Sequence, residues 1–453
     1  MPVLEALADA GSLAALSNFM AARLQMALTL GYHIVIACLG VGLPVLLLAA
    51  EWRYVRTGDW DWKILAHRWS RAFAVLFAVG AVTGTVLSFE FGLLWPAFMG
   101  TFGSVIGMPF TLEAFAFFLE GIFVGIYLYT WDRLSPFAHW LTGIPIALAG
   151  LLSAWFVVTA NAWMNAPQGF TMENGRVVEA NPWEAMLNPA TWPQTIHMIV
   201  AAYMVAGFLV AAYYAFEWLR GDRSLYVRRA VTSALILAGV FAVIQPFVGD
   251  QIGKMVAETQ PVKLAALEGQ FETEQGAPLR IGGIPDQEAE VTRYAIAVPK
   301  LLSFLAYGDP DAEVLGLKDV PDEDEPPVLI VHLAFQIMVA IGLALAALAL
   351  WAGWYLLRRR PLPNNSALLI AIIASGPLSV IALEAGWIVT EVGRQPWIVQ
   401  GVMRTEEAVT TAKGIQWLPV ITVAAYIAIT VGAIRVLRIL RNAQDPTEGG
   451  DES

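Results

Sequence analysis

Cysteine is nearly missing from this chain: Cys38 is the only one in 453 residues. A lone thiol excludes a disulfide framework, a thiolate zinc site and a cysteine-ligated iron–sulfur cluster, and its place in an apolar run makes it a packing residue. Charge is scarce as well. Asp, Glu, Lys and Arg make up 14% of the chain, against about a quarter in soluble proteins. No basic patch offers a surface to nucleic acid. The first stretch, Met1–Asn18, has Glu5 and Asp9 but no Lys or Arg, so it lacks the basic start of a secretory signal and reads as part of an uncleaved polytopic protein. Neither a fixed-period repeat nor an inverted similarity between the halves, which would favour a transporter, is visible.

Apolar residues fill the space. The chain is 57% hydrophobic with a mean hydropathy of +0.60, and the apolar residues come in runs long enough to cross a bilayer, which takes about 20 helical residues. Seventeen Trp suit two membrane interfaces, where indole rings anchor. The runs predict an all-α integral membrane protein with nine spans, at 20–50, 73–98, 109–131, 139–164, 195–219, 229–249, 328–357, 366–390 and 415–434. Four regions follow: helices one to six in 1–249, an external loop in 250–327, helices seven to nine in 328–441, and an acidic tail in 442–453.

Basic residues set the orientation. The loops after the odd-numbered spans and the C-terminal tail carry Arg53, Arg56, Lys63, Arg68, Arg71 and the triplet Arg358, Arg359 and Arg360, whereas the short loops opposite hold only Arg176, Arg394, Arg404 and Lys413. The positive-inside rule then puts the N-terminus and the long loop outside and the tail Asn442–Ser453 in the cytoplasm. The net charge of -11 is concentrated in the long loop, where 6 basic residues face 16 acidic ones.

Ionisable groups inside spans are costly and mark function. Candidates are Arg23, His33, Glu90, Glu113, Glu120, His197, His332, Glu384 and Glu391, with Met338 beside them. Glu113 and Glu120 share one helix face, as do Glu384, Trp387 and Glu391; stacked carboxylates suggest a proton path, and hydrogen bonds to helix hydroxyls are the plainer alternative. His33 and His197 can each present a neutral imidazole to a haem iron. His67, in a basic interfacial stretch, and His139, at a span's edge, fit ordinary solvated roles. The histidines total five, and the core of a haem–copper oxidase takes more than that to hold two haems and a copper. In a polar acidic loop, Lys263 and Glu268 read by themselves as surface charges.

Several segments together resemble one family: ARLQMALTLGYH (22–33), GAVTGTVLSFEFGLLWP (80–96), TLEAFAFFLEGIFVGIY (111–127), SAWFVVTANAWMNAP (153–167), EAGWIVTEVGRQPW (384–397), and the loop segment GDQIGKMVAETQPVKLAALEGQFET (249–273) followed by GIPD (283–286). From about Asn18 to about Arg441 the chain is similar to subunit I of cytochrome bd-type quinol oxidases, including the cyanide-insensitive branch.

The resemblance implies a bacterial inner-membrane subunit that oxidises quinol at the outer face and reduces oxygen to water. It would do so through three haems, building a proton gradient without pumping. His197 and Met338 would be axial ligands of a low-spin haem b. His33 and Glu391 would ligate a high-spin haem b and a haem d, or a further haem b, the assignment between them staying open. Trp387 would pack near these haems, while Arg394 would neutralise a propionate or Glu391, with Arg23 and Gln25 doing similar work at the first span. Lys263 and Glu268 would serve quinol oxidation, and Glu113 and Glu120 would conduct protons from the cytoplasm. Expected partners are subunit II, offered small-residue helix faces, a small accessory subunit in some complexes, ubiquinol or menaquinol, oxygen and the lipid bilayer. Gln336 departs from the family pattern, since many relatives carry arginine there; its charge loss would lower the potential of the low-spin haem. The loop is close to the family's short form. Two other readings of the same residues are a proton-coupled secondary transporter and a di-haem cytochrome b that handles quinone without oxygen chemistry.

Overall fold

Each apolar run becomes a helix because backbone polar groups in hydrocarbon must be satisfied within the segment. A computed structural model describes residues 16–358 and 366–442. Expectations placed on Glu5, Asp9, Arg359, Arg360 and the tail beyond Asn442 lie outside the described residues. Among the latter, nine long helices have the length and apolarity to cross a membrane: α1 (Asn18–Thr57), α2 (Trp60–Leu94), α3 (Pro96–Tyr129), α4 (Pro136–Asn165), α5 (Thr191–Leu219), α6 (Leu225–Thr259), α7 (Val328–Leu357), α8 (Ser366–Val392) and α9 (Leu418–Asn442).

Local chemistry sets the boundaries. Ser17, Ser135 and Ser224 each accept a hydrogen bond from a first-turn amide of α1, α4 and α6, which satisfies donors that a helix start leaves free. Gly58 ends α1 with φ +69, a conformation that glycine adopts without strain.

Several expected boundaries need correction. The second span is expected at 73–98 and the third at 109–131, but α2 runs from Trp60 to Leu94 and α3 starts at Pro96. Proline has no N–H to donate and is tolerated in the first turn of a helix, so a single residue, Trp95, separates them. The sixth span is expected to end at 249, yet α6 runs ten residues further, to Thr259. Its 35 residues span roughly 52 Å, well beyond the bilayer core, so the first part of the long loop is helix. Hydropathy marks where a helix meets lipid and does not sense where it stops.

At the centre stands α5, packed against α1, α4, α6 and α8. Small residues allow this: a Cβ on Gly207 would lie 2.7 Å from the Ala238 backbone nitrogen, one on Gly42 2.3 Å from Ala206 Cβ, and one on Gly376 2.8 Å from Ala212 Cβ. Such close approach lets backbones meet where no hydrophobic effect drives association. Outward faces are a mixture of large and small residues. On α3, Phe115 and Phe118 are exposed, and Gly100, Gly103 and Gly107 have open space beside them.

Folded structure fills the rest of the long loop. A helix (Pro261–Glu268), a second helix (Leu301–Tyr307) and short antiparallel pairs, among them Leu279–Ile281 with Ile296–Val298, enclose Leu264, Leu267, Phe271, Leu302 and Leu317. These residues join Val256 of α6 and Val331 of α7 in one hydrophobic cluster, so burial of apolar area fixes the loop to the bundle.

Candidate functional site

A cavity of about 560 Å³ opens between α4, α5, α6, α7, α8 and the helix Pro261–Glu268, lined among others by His197, Met338, Trp387, Lys263 and Glu268. Residues far apart in the chain thus share one space. His197 sits in it with Nδ1 buried and unpartnered, and Gln245, whose amide nitrogen lies 3.1 Å from His197 Nε2, leaves its own Oε1 unpartnered. Buried polar atoms are normally satisfied, so unfilled ones around an apolar cavity are what a metal-bearing macrocycle would leave. On α8, glycine at 386 makes room for Met338: a Cβ there would be 3.0 Å from Met338 Sδ. A soft thioether and an imidazole lining one apolar cavity are groups that could hold a haem there.

His33 occupies a different place, between α1 and α2. Its Nδ1 is 2.9 Å from Thr83 Oγ1, and Thr83 donates its own proton to the Val79 carbonyl at 3.0 Å. The hydroxyl is therefore an acceptor, Nδ1 carries the imidazole proton, and the Nε2 lone pair is free to bind iron. Gly84 lets the ring approach, since a Cβ there would come within 2.9 Å of His33 Cε1.

Glu391 ends α8 in a polar chain. One oxygen accepts from Asn161 and the other from Arg394 at 2.7 Å. Arg394 is 3% exposed and keeps Nε and one terminal nitrogen without partners, so the guanidinium has donors to spare for a second anion such as a propionate. Asn165 donates to Asn161, and Lys263 Nζ donates to Asn165 at 2.6 Å. Gln260 donates to the Asn165 carbonyl as well. The loop is thereby hydrogen-bonded to the surroundings of Glu391. Asn161, Asn165, Gln245, Gln260 and Thr83 do not stand out in the sequence, because an uncharged polar side chain in a span is far less costly than a charged one. The signal available was two amides four residues apart in an apolar span, Asn161 and Asn165, which put their side chains on one face.

Lys263 and Glu268 are not the surface charges that their setting suggested; each is 5% exposed, because the loop folds over them. Burial pushes the Lys263 ammonium down to about 7, with Arg394 adding repulsion and Glu391 opposing it. Burial pushes the Glu268 carboxyl up to about 8, with Arg280 working against the rise. Burial thus brings both groups toward neutrality from opposite sides.

The carboxylates of α3 lie together on the side facing α4. Ser153 donates to Glu113 at 3.0 Å, and Glu120 packs against Gly150. His139 corrects an expectation. It is 2% exposed, with Nδ1 2.6 Å from Glu51 and Nε2 2.9 Å from the Tyr127 carbonyl, because α1 and α3 close over the start of α4. His67 is half-buried and packs edge-on against Trp131. Gln25 bonds to Glu90 and Thr422 between α1, α2 and α9, which joins it to no part of the Glu391 chain, and Arg23 lies over the Phe19 ring. Gln336 binds loop backbone, accepting from Gly282 N and donating to Arg280 O.

Residues 21–444 match the family model of cytochrome bd terminal oxidase subunit I. The chain belongs to that family. It is 36% identical to the putative cytochrome bd menaquinol oxidase subunit I of Bacillus subtilis, over 93% of this chain and 96% of the relative. To the cytochrome bd-II ubiquinol oxidase subunit 1 of Escherichia coli it is 31% identical, over 85% and 88% of the two chains. The solved structure of bd oxidase from Geobacillus thermodenitrificans superposes with a TM-score of 0.88 at 40% identity, covering 94% of this chain and 99% of that one. The subunit is therefore a multi-pass membrane oxidoreductase of the respiratory terminal oxidases, and the secondary-transporter reading falls.

Proposed function

We propose that the subunit oxidises quinol at the outer membrane face and passes the electrons to oxygen, which is reduced to water inside the membrane. The observation that carries this reading is the single cavity shared by Lys263 and Glu268 of the loop and by His197 and Met338 of the bundle. Quinol entering it meets a carboxylate able to take its hydroxyl proton and an ammonium able to polarise the opposite oxygen. Proton and electron acceptors then stand within one site, which quinol oxidation requires.

His197 and Met338 would hold a low-spin haem b. His33, through its free Nε2, and Glu391 would hold the high-spin haem b and the oxygen-site haem, which is a haem d or a further haem b. When bound, these groups supply one-electron transfer and the reduction of oxygen. Trp387 walls the cavity beside them, while Arg394 holds Glu391 and offers its spare donors to a propionate. Glu113 and Glu120, stacked on α3, deliver protons from the cytoplasmic side. Protons released outside and taken up inside make turnover electrogenic. The N-terminus and loop face outward, and the open α3 face with its phenylalanines and glycines suits a helix of subunit II. The matched relatives are named for menaquinol in one case and for ubiquinol in another, and both quinols present the hydroxyl that Glu268 would deprotonate.

Reduced-minus-oxidised spectra and a pyridine haemochrome of the purified complex, together with quinol-driven oxygen uptake, test the reading. Loss of one low-spin haem signal in His197→Ala and loss of oxygen uptake in His33→Ala and Glu391→Ala are expected. Normal oxygen uptake in either of the last two would remove the assigned ligands.

A further inference from the structure

His332 lies on α7, 0% exposed, and faces the loop. Its Nδ1 is 2.7 Å from the Leu267 carbonyl and its Nε2 3.1 Å from the Gly282 carbonyl. Carbonyls only accept, so the ring holds the loop by N–H donation to backbone that has no donor to offer in return. Leu267 is in the last turn of the helix Pro261–Glu268, where carbonyls lack intrahelical partners and where a donor from an imidazole is favoured by the helix dipole. One turn along α7, Gln336 reaches the same loop backbone, accepting from Gly282 N at 3.0 Å and donating to the Arg280 carbonyl at 3.1 Å. Thr292 closes the arrangement from the loop side, donating to the Gly269 carbonyl at 2.7 Å. Gly269 has φ +60, and a Cβ there would lie 2.6 Å from Thr292 Oγ1, so the backbone is drawn tight where the latch meets it.

We propose that His332 and Gln336 form a latch that seats the loop on α7 and so positions Glu268, the residue next to Leu267, in the quinol cavity. They are positioning residues, neither of which lines the cavity, and the proposal rests on the reading of that cavity as the quinol site. A loop that is unlatched part of the time presents the competent site in only a fraction of molecules. Apparent quinol affinity falls by that fraction, while bound quinol at saturation selects the seated loop. The latch therefore acts on KM and leaves kcat nearly unchanged.

The test uses the intact haem-loaded complex with ubiquinol-1 as substrate. In His332→Phe, which keeps an aromatic ring there and removes its N–H donation, hydrogen exchange across residues 264–284 is expected to accelerate by much more than about tenfold, as lost bonds open the segment locally. With the seated fraction lowered to about a tenth, KM should rise about tenfold, kcat should change less than about twofold, and haem spectra should stay as in the wild type. His332→Gln, retaining an N–H donor for one carbonyl, should restore part of both effects. Gln336→Leu removes the other half of the latch and should show the same split if the histidine variant does not assemble. Slow exchange of the Gly282 amide in the wild type is required whatever the variants do, and rapid exchange there would overturn the latch. Unchanged loop exchange, or faster exchange with unchanged KM, would overturn it too. Normal turnover in a Glu268→Gln control would instead remove the loop from quinol chemistry, and with it the positioning role.

Discussion

Lys263 and Glu268, the buried ionisable pair of the cavity, lead to a pH profile that a solvated pair would not give. With the Glu268 carboxyl at about 8, roughly one site in ten holds it ionised at pH 7. With the Lys263 ammonium at about 7, roughly one in ten is still protonated at pH 8. If oxidation needs an ionised Glu268 and a charged Lys263, the working form is the minor one. Its population rises tenfold per pH unit below about 7, is nearly level between 7 and 8, and falls tenfold per unit above about 8, peaking near 6%. The ascending limb belongs to Glu268 although it bends at the lysine's value. Lys263→Met should abolish the descending limb, leaving a rise that levels off near pH 8, and Glu268→Gln should cost about 10²–10⁴ in kcat/KM. The assay is quinol-dependent oxygen uptake from pH 5.5 to 9.5, analysed as kcat/KM, with haem spectra recorded at each pH to exclude loss of the haems. A fall above pH 8 that persists in Lys263→Met would refute the assignment, as would a profile that is flat from 6 to 9 in the wild type.

Stability should follow the same groups in opposite directions. Glu268 binds a proton more tightly in the folded state, so its contribution is present below the ordinary carboxyl value of 4.5 and is lost as pH rises through about 8. Lys263 binds its proton less tightly than in the unfolded chain, so between about 7 and 10.5 its contribution favours the fold increasingly as pH rises. Thermal denaturation of Lys263→Met should show a steeper loss on the alkaline side than the wild type. Thr83→Val removes the acceptor that fixes the His33 proton on Nδ1, and such changes weaken a ligand's hold by about 10–100-fold; substoichiometric haem with only one set of bands altered is the expected spectrum, and an unaltered haem complement would contradict the tautomer. Gly207→Ala forces a methyl to 2.7 Å from the Ala238 nitrogen, and overpacking of this kind costs about 1–3 kcal/mol, read as a lowered melting temperature of the complex. Because α5 is central, partial loss of several haem bands should accompany it, whereas an unchanged melting point would mean that α5 and α6 can separate freely.

Much of this protein is decided by its sequence alone. Scarce charge and long apolar runs leave helices crossing a bilayer as the available fold, since no other open backbone arrangement satisfies its polar groups in hydrocarbon. The few ionisable residues in those runs, His33, His197, Glu113, Glu120 and Glu391, stand out because placing them there is costly. Motif segments such as EAGWIVTEVGRQPW were enough to indicate the family. What distance along the chain cannot show is which polar groups meet. Only the folded loop buries Lys263 and Glu268 and brings them toward neutral pH, and only the meeting of the end of α4 with the end of α8 turns Asn161 and Asn165 into a bridge between Lys263 and Glu391. His139 looked solvated beside a span's edge until α1 and α3 covered it. Hydropathy reads the contact of one residue with lipid, a local property. Burial, tautomer and proton affinity depend on what other segments bring alongside, and these were settled by tertiary structure.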